Sequence, residues 1–275
     1  MSILFFGHSS FAAKSLEISL KKQKQKQVIF YSRKKKKNIS FFDLTKTNNK
    51  ILNKKKIHDT NIILFFSSYV PPNENITNWN TVSKINIDGI INFLEKLKFK
   101  PKKIILISSC AVYGNEAKHV SEKDFLRPIT PYAITKLAQE NIFHIYCKIN
   151  KIKLLTLRLG YVYGDKMSDI RLLKRFKNSI TENKKINIYN KNYNLNLIHT
   201  EDINNIVLKS LNKNEGLINL VHEKKISIKN FVNVLTKMRE PNLKKLKKNR
   251  YFSKNFKKTF PKFKFFRLTD AIKGL

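Results

Sequence analysis

The chain has few cysteines and no long apolar run. Its two cysteines, Cys110 and Cys147, cannot form a disulfide framework, which favours a reducing compartment. No run approaches the roughly 18 to 20 apolar residues that a membrane span needs. The N-terminus, MSILFFGHSS, has no basic leader and no small-residue cleavage site, so it does not match a signal peptide. Apolar residues still make up 41% of the 275, which excludes global disorder, and we expect a cytoplasmic protein with a packed core.

Acidic residues are also scarce. Lys and Arg number 56 against 19 Asp and Glu, a formal net charge of +37. Such a charge is one mark of nucleic-acid-binding proteins. Only eight of the basic residues are arginine, however, whereas phosphate and base recognition favours the planar guanidinium. Because the lysines also scatter through every segment, we favour a solvated lysine-rich surface over a specific nucleic-acid site.

Apolar runs alternate with amphipathic stretches from the first residue onward. The predicted strands are Ser2–Phe6, Val28–Tyr31, Ile62–Phe66, Ile104–Ser108 and Leu154–Leu159, and the predicted helices cover Phe11–Leu20, residues 81–98 and Pro131–Ile149. Strands and helices that alternate at this spacing indicate βαβ units around a parallel sheet. The uninterrupted apolar strands indicate that both faces of that sheet are covered. The fold class is therefore α/β, a Rossmann-type doubly wound sheet.

After about residue 165 the predicted strands and helices become shorter. Helices are predicted near 168–182 and 202–212, a strand at Leu217–Val221, and a further helix from Ser227. We interpret residues 1–165 as a nucleotide-binding domain and residues 166–275 as a smaller, mixed substrate-binding subdomain, interleaved with the first across a soft boundary.

A turn of small residues directly follows the first strand. Gly7-His8-Ser9-Ser10-Phe11-Ala12-Ala13 opens the first helix, and the G-x-x-G-x-x-G spacing survives in it as Gly7, Ser10 and Ala13. Dinucleotide-binding turns need small residues here so that backbone N–H groups can approach a pyrophosphate. The motif alone is weak, and its position after the first strand gives it weight.

The end of the second strand bears on the choice of cofactor. An NAD site places an acidic side chain there, on the ribose 2′-hydroxyl. This chain has Ser32 and Arg33 instead. A guanidinium suits a 2′-phosphate, which favours NADP(H) over NAD(H), although a solvated basic turn would look the same.

A tyrosine and a lysine lie four residues apart on one predicted helix. Tyr132 and Lys136 share a face, and Thr130 and Pro131 provide the start of the helix. Ser108 and Ser109 end a strand 23 residues earlier. A tyrosine hydroxyl titrates near pH ~10, so it needs a neighbouring cation to exchange protons at neutral pH. The three residue types together suit reversible proton transfer at a carbinol carbon.

The sequence resembles the extended short-chain dehydrogenases/reductases, in particular the nucleotide-sugar epimerase, dehydratase and reductase group. The matching stretches, in the family's order, are ILFFGHSSFAA, FFDLT at 41–45, INIDGIINFLE at 85–95, IILISSCAVYG at 104–114, PYAITK at 131–136, LRLGYVYG at 157–164 and LIHTEDI at 197–203.

The resemblance implies roles for individual residues. The catalytic set would be Ser109, Tyr132 and Lys136, with Tyr132 as proton donor or acceptor. Asn86 would help hold the water network of the lysine. The residues that would contact the cofactor, besides Tyr132 and Lys136, are Gly7, Ser9, Ser10, Phe11, Arg33, Asp43, Leu44 and Ser67.

Besides Ser10 and Ala13 in the glycine loop, four positions depart from the family pattern. Cys110 and Ala111 follow Ser109 where dehydratases carry an acidic pair, so 4,6-dehydration is not expected. Tyr161 replaces an Asn that contacts the sugar diphosphate, and Leu195 replaces an Arg that binds the same phosphate. Cys110 matches a cysteine that acts in epimerisation in some relatives, but a small buried thiol is the simpler reading.

These patterns favour an NADP(H)-dependent oxidoreductase acting on a nucleotide-linked keto-sugar. The alternatives are an NAD-dependent nucleotide-sugar epimerase of the same family, a non-catalytic NADP-binding protein, and a binder of nucleic acid or membrane surfaces driven by charge. Fold and catalytic set serve both enzyme chemistries. The histidines and cysteines show no metal-ligand spacing, so no metal is expected.

Two expectations concern partners. Family members commonly dimerise through the helices predicted at 81–98 and 131–149, and here Phe93, Leu94, Ile142 and Phe143 give those helices more apolar positions than one buried face needs. A homodimer is therefore expected. The basic tail also carries phenylalanines, which are Phe252, Phe256, Phe260, Phe263, Phe265 and Phe266. We favour their packing inside the C-terminal part over binding to an anionic membrane.

Overall fold

Seven parallel strands form the central sheet of the computed structural model. They are β1 (Ser2–Phe6), β2 (Gln27–Ser32), β3 (Ser40–Phe41), β4 (Thr60–Phe65), β5 (Lys103–Ser109), β6 (Lys153–Leu159) and β10 (Gly216–Leu220), in the spatial order β10-β6-β5-β4-β1-β2-β3. The structure describes residues 2–22, 27–33, 39–46, 60–71, 78–97, 99–114, 120–165, 167–169, 171–184, 193–212, 214–236, 247–249, 251–266, 268 and 272. The predicted Rossmann-type sheet is confirmed.

The order of the strands reverses at β1, which lies between β2 and β4. In open parallel sheets a ligand crevice forms at such a reversal, beyond the carboxyl ends of the strands. Strand β1 is buried along its whole length, and its side chains alternate between two cores. Ile3 and Phe5 belong to one core, and Leu4 and Phe6 to the other. Both faces of the sheet are therefore covered, as the uninterrupted apolar strands indicated.

Helices cover both faces. They are α1 (Lys14–Lys22), α2 (Trp79–Ser83), α3 (Gly89–Glu95), α4 (Pro131–Asn150), α5 (Leu172–Thr181), α6 (Thr200–Ser210), α7 (Ile228–Leu235) and α8 (Lys254–Thr259). The helix predicted from Phe11 opens with a 3₁₀ turn, Phe11–Ala13, and becomes α-helical at Lys14.

The helix predicted at 81–98 is more divided than its periodicity suggested. Helices α2 and α3 are joined by a π-helical stretch, Lys84–Asp88. A π turn inserts one extra residue into the helix and occurs often beside functional sites. Here it contains Asn86, whose side chain is completely buried.

The chain after residue 165 contributes to two regions. Strand β10 completes the central sheet and α6 packs against α1. The short strands β7 (Tyr161–Tyr163), β8 (Asn194–Leu195), β9 (Leu197–His199) and β11 (Ile226–Ser227) form two separate ribbons, β7-β9 and β11-β8. A third core, which includes Phe176 and Phe231, lies beneath them. The division into residues 1–165 and 166–275 stays a prediction.

The phenylalanines of the basic tail pack mostly inward. Phe256 and Phe260 are buried in the core that contains Ile3 and Phe5, and Phe252, Phe263 and Phe265 pack against the same core. Phe266 is 42% exposed and stacks on His199 with ring centroids 4.8 Å apart. The expectation that these rings serve the protein's own core is confirmed for five of the six. Among the described residues, no helix is both long enough and apolar enough to cross a membrane.

The residues expected to form excess apolar surface for a dimer require a correction. Phe93, Leu94 and Phe143 are buried in the core of the chain itself, and Ile142 packs against that core. They are used within the single chain because α3 and α4 both lie on the same face of the sheet. The exposed apolar side chains on these helices are different ones, namely Ile91, Ile134, Ile145 and Ile149.

Candidate active site

A cavity of about 460 Å³ lies at the carboxyl edge of the sheet. Its lining includes Ser109 at the end of β5, Tyr132 and Lys136 on α4, and Ser10 and Phe11 from the turn after β1. The sequence placed these residues up to 126 positions apart, from Ser10 to Lys136. The parallel sheet brings them together because the carboxyl ends of neighbouring strands share one edge.

Helix α4 presents Tyr132 to the cavity from its first turn. The Thr130 hydroxyl accepts a hydrogen bond from the Ala133 N–H at 3.2 Å, and Pro131 occupies the first helical position. Both features fix where the helix begins. Tyr132 is half-buried, and Lys136 follows one turn later on the same face.

The Lys136 ammonium is held inside the protein. Its Nζ donates to the carbonyl oxygen of Ile107 at 2.7 Å and to Gln139 Oε1 at 2.6 Å. An ammonium has three N–H donors, so one is left for the cavity side. Burial lowers the pKa of Lys136 to about 7, while the charge of Glu140 acts in the opposite direction.

Ser109 is half-buried at the point where β5 turns toward α4. Its Oγ accepts a hydrogen bond from the Ala111 N–H at 3.2 Å and so begins a 3₁₀ turn, Cys110–Tyr113. Because Ser109 Oγ accepts this hydrogen bond, its own hydroxyl hydrogen can still be donated to a bound molecule. The neighbouring Cys110 thiol is buried and donates to the carbonyl oxygen of Arg158 at 3.3 Å, which fits the reading of a small packed thiol.

The turn after β1 fits a phosphate-bearing cofactor. Gly7 has φ of +77°, and a Cβ there would lie 2.6 Å from both Phe66 C and Ser67 N. The chain therefore passes close to the end of β4. The Ser10 hydroxyl lines the cavity, is buried, and has no hydrogen-bond partner among the described residues. A buried, unsatisfied donor at a helix start is suited to an anion.

The end of β2 carries the residues that bear on the choice of cofactor. Ser32 is buried, and its Oγ lies 3.5 Å from Ser9 Oγ. Arg33 is exposed on the bend that follows. Neither residue belongs to the described lining of the cavity, so both lie outside the part of the crevice that holds Tyr132.

Three further predicted cofactor contacts also lie outside that lining. Asp43 Oδ1 accepts from the Thr45 N–H at 3.0 Å and the Thr45 hydroxyl at 2.8 Å, which closes a turn. Leu44 is buried beside Gly89, and Ser67 is half-buried after β4. At the cavity itself the structure places Ser68.

Asn86 connects to Lys136 through protein side chains. Ser68 Oγ donates to Asn86 Oδ1 at 3.1 Å, Gln139 Nε2 donates to Ser68 Oγ at 3.4 Å, and Gln139 accepts from Lys136. Sequence reasoning missed Gln139 and Ser68. Gln139 follows Lys136 by three residues, a spacing that places both on one helix face and could have drawn attention to it.

Residues from the second half of the chain add two tyrosines and one arginine to the lining of the cavity. Tyr161, Tyr193 and Leu195 line it, and Arg171 lies over the Phe11 ring at 5.1 Å from the centroid. The described lining includes Lys136 and Arg171 but contains no Asp or Glu. An anionic substrate would therefore meet no repulsion from those residues.

Comparison with known proteins agrees with this architecture. The model of the NAD dependent epimerase/dehydratase family matches residues 3–220. A dTDP-D-glucose 4,6-dehydratase of Dictyostelium discoideum is 28% identical over 167 residues, covering 56% of this chain and 38% of the relative. A putative UDP-glucose 4-epimerase of Methanocaldococcus jannaschii is 24% identical over 184 residues, covering 64% of this chain and 60% of the relative. The matched region is thus less than two thirds of each relative's length.

Solved structures share the fold along the whole chain. UDP-glucuronic acid 4-epimerase from Bacillus cereus, in complex with UDP-glucuronic acid and NAD, superposes with a TM-score of 0.82 at 19% identity, covering 100% of this chain and 97% of that one. UDP-glucose 4-epimerase from Thermotoga maritima gives 0.82 at 17% identity, with the same coverage. At such identities the likeness shows the fold. With the family model spanning most of its length, the chain belongs to the NAD dependent epimerase/dehydratase family, as its sequence motifs predicted.

Proposed function

We propose that the protein is an NAD(P)-dependent oxidoreductase that acts on a nucleotide-linked keto-sugar. The observation that carries the proposal is the convergence of Ser109, Tyr132 and Lys136 on one cavity beside the turn at Gly7. Arg171 in the lining suits the diphosphate of such a substrate.

The three side chains divide the proton chemistry between them. A bound nicotinamide cofactor would supply or accept the hydride at the sugar carbon. The Tyr132 hydroxyl gives a proton to the substrate oxygen in reduction and takes it back in oxidation. Lys136 is buried, and in its protonated form it stabilises the phenolate that forms in between. Ser109 donates its hydroxyl hydrogen to the substrate oxygen and so orients the carbonyl.

The preference for NADP(H) over NAD(H) is also part of the proposal. Ser32 stands where an acidic side chain would hold the ribose 2′-hydroxyl of NAD, and Arg33 is exposed one residue later. A guanidinium there suits a 2′-phosphate. The Bacillus cereus and Thermus thermophilus epimerases have been solved with NAD, which supports the alternative for this chain.

An NAD-dependent nucleotide-sugar epimerase is the second candidate. The likeness to several 4-epimerases favours it, because the same catalytic set can oxidise and then reduce one carbon. Dehydration is not proposed. Elimination of water needs an acid-base pair beyond the tyrosine, and the described lining has no carboxylate.

Turnover and cofactor content test the proposal together. The purified protein is denatured and any released dinucleotide is identified. UDP- and dTDP-linked keto-sugars are then assayed for NAD(P)H consumption, and the corresponding UDP- and dTDP-linked sugars for epimer formation by NMR. Retained NAD with epimer formation selects the epimerase, whereas an empty site that consumes NADPH selects the reductase. Tyr132→Phe should lose about 10²- to 10⁴-fold in kcat. Tyr146→Phe, the same change on α4 but packed against the core, is the matched control. Equal turnover in all three proteins would refute the assignment.

We also propose a cytoplasmic homodimer. Free, buried Cys110 and Cys147 suit a reducing compartment. The exposed Ile91, Ile134, Ile145 and Ile149 on α3 and α4 suit an apolar interface between two copies. Light scattering at micromolar concentration should give twice the chain mass of 32.3 kDa. Ile145→Lys with Ile149→Lys should give the monomer mass, and a wild-type monomer would contradict the proposal.

A further inference from the structure

A buried carboxylate links the helix of Tyr132 and Lys136 to two strands of the sheet. Glu140 lies on α4, one turn after Lys136, and is 7% exposed. Ser108 on β5 and Arg158 on β6 are register partners, so their side chains lie next to each other on the same face of the sheet. Both donate to Glu140. Ser108 Oγ donates to Oε1, and Arg158 donates from Nε at 3.0 Å to Oε1 and from Nη2 at 2.7 Å to Oε2.

The contacts continue beyond the ion pair. Arg158 Nη1 donates to the Tyr113 hydroxyl at 2.6 Å, and that hydroxyl donates to Asn219 Oδ1 at 2.8 Å. Tyr113 belongs to the 3₁₀ turn that Ser109 begins, and Asn219 lies on β10. Arg158 therefore ties together β6, β10 and the segment directly after Ser109.

The charges in this cluster are balanced to leave one positive charge. The charged group that acts on Lys136 is Glu140 on its own helix. Glu140 is in turn paired with Arg158 on β6, whose guanidinium lies over the ring of Tyr113 on the 3₁₀ turn. Burial raises the pKa of Tyr113 to about 12, so its hydroxyl is neutral at physiological pH. Glu140 and Arg158 cancel, which leaves the Lys136 ammonium as the net charge beside Tyr132.

We propose that Glu140 and Arg158 are positioning residues for the reaction, a buried pair that fixes Ser109 and Lys136 relative to each other and maintains a single positive charge next to Tyr132. The inference rests on the proposed function, since it assigns a role within the same site. Neither residue touches the reacting atoms. Their effect passes through Ser108, which is the neighbour of Ser109 on β5, and through the electrostatic field at Lys136.

The physical reason is the cost of placing a cation in the interior. Lys136 is 2% exposed, so desolvation favours loss of its proton. Glu140 is the charged group that opposes this loss. If Glu140 became neutral, Lys136 would lose the negative charge that opposes its desolvation, and the ammonium would lose its proton at lower pH.

Three variants test the pair through the pH profile of kcat/KM. Glu140→Gln should move the alkaline limb, where Lys136 loses its proton, down by about one pH unit. Arg158→Gln leaves Glu140 to act on Lys136 alone and should move the same limb up. The double variant Glu140→Gln/Arg158→Gln should fall between the two. Glu182→Gln, which removes an exposed partner of Lys184, is the control for a charge change without the buried pair.

A purely structural role would lower activity in each variant without this ordered shift, and that outcome would overturn the proposal. A second readout does not need turnover. Because the folded pKa of Lys136 lies below its unfolded value, the free energy of unfolding rises with pH between the two values. The onset of that rise should move to lower pH in Glu140→Gln and to higher pH in Arg158→Gln. If the wild type turns over no nucleotide sugar, the proposed function fails while this ordering still tests the pair. If the rise in unfolding free energy began at the same pH in all variants, the role proposed for Glu140 and Arg158 would be overturned.

Discussion

Replacing Gly7 with alanine should destabilise the protein and weaken cofactor binding. For an alanine at φ of +77°, the left-handed conformation costs about 1–2 kcal/mol. Its Cβ would also lie 2.6 Å from Phe66 C and 2.6 Å from Ser67 N, where backbone must move to make room. That backbone is anchored, since the Phe66 N–H bonds to the carbonyl of Phe6 at 2.9 Å. Such overpacking costs roughly a further 1–3 kcal/mol, so we expect a total of about 2–5 kcal/mol.

Alanine substitutions at two other glycines separate the conformational cost from the overpacking cost. Gly216, at the start of β10, has φ of +104° and no atom within 4 Å of the point that an added methyl group would occupy, so Gly216→Ala should show only the conformational cost. Gly89 on α3 has ordinary helical dihedrals, but its Cβ would lie 2.7 Å from the Leu44 carbonyl oxygen. In Gly89→Ala the steric cost is offset by up to about 1 kcal/mol of helix propensity.

Chemical denaturation of the three variants measures these costs directly. The expected order of destabilisation places Gly7→Ala above Gly216→Ala. The dissociation constants for NADPH and NADH should rise for Gly7→Ala, because the shifted turn no longer presents its N–H groups in the same positions, and should stay unchanged for Gly216→Ala. A Gly7→Ala protein that is no less stable than Gly216→Ala, or that binds both cofactors as the wild type does, would refute the reasoning.

The remaining predictions concern Arg33 and the phenylalanine-rich tail. Arg33→Ala should weaken NADPH binding by about 10- to 100-fold and leave NADH binding nearly unchanged, because a charge-assisted contact to the 2′-phosphate contributes roughly 1.5–3 kcal/mol. Lys22→Ala, at the far end of α1, removes the same charge as a control, and equal losses for the two cofactors would return the choice to NAD. The protein should not sediment with anionic vesicles at about 0.15 M salt, since five of the six tail phenylalanines face the core. Sedimentation that persists when the salt concentration is raised would contradict this.

The sequence predicted the parts of the fold that depend on local pattern. The boundaries of β1, β5 and β6 were predicted to within a residue because uninterrupted apolar runs mark strands of a covered sheet. The start of α4 was predicted because Thr130 and Pro131 have a direct capping role. The π-helical stretch at Lys84–Asp88 was not, because one inserted residue hardly changes an amphipathic pattern.

The parts of the site that escaped prediction depend on pairing between distant segments. Glu140 lies outside the matching stretches, and Arg158 lies within LRLGYVYG, where the pattern assigns it no role. They become partners only when β5 and β6 pair in the register that sets Ser108 opposite Arg158. The short ribbons β7-β9 and β11-β8 have strands of two or three residues, too short to show a period. The mistaken use of Phe93 and Phe143 as dimer surface has the same origin, since the number of apolar positions does not reveal how many faces of a helix the chain itself covers.

The composition of the chain gives Arg158 particular weight. The protein uses lysine for most of its positive charge, with only eight arginines, and an exposed lysine can replace an exposed arginine at little cost. At position 158 it cannot. The side chain there donates from Nε and Nη2 to one carboxylate and from Nη1 to the Tyr113 hydroxyl, three directions fixed by one planar group. A lysine would supply the positive charge but not the planar set of N–H donors. Glu140 or Tyr113 would then lose a hydrogen-bond partner in a buried position. The charged groups of the buried pair beside the Tyr132 helix are therefore fixed by geometry at a few interior positions, which the number of surface lysines does not determine.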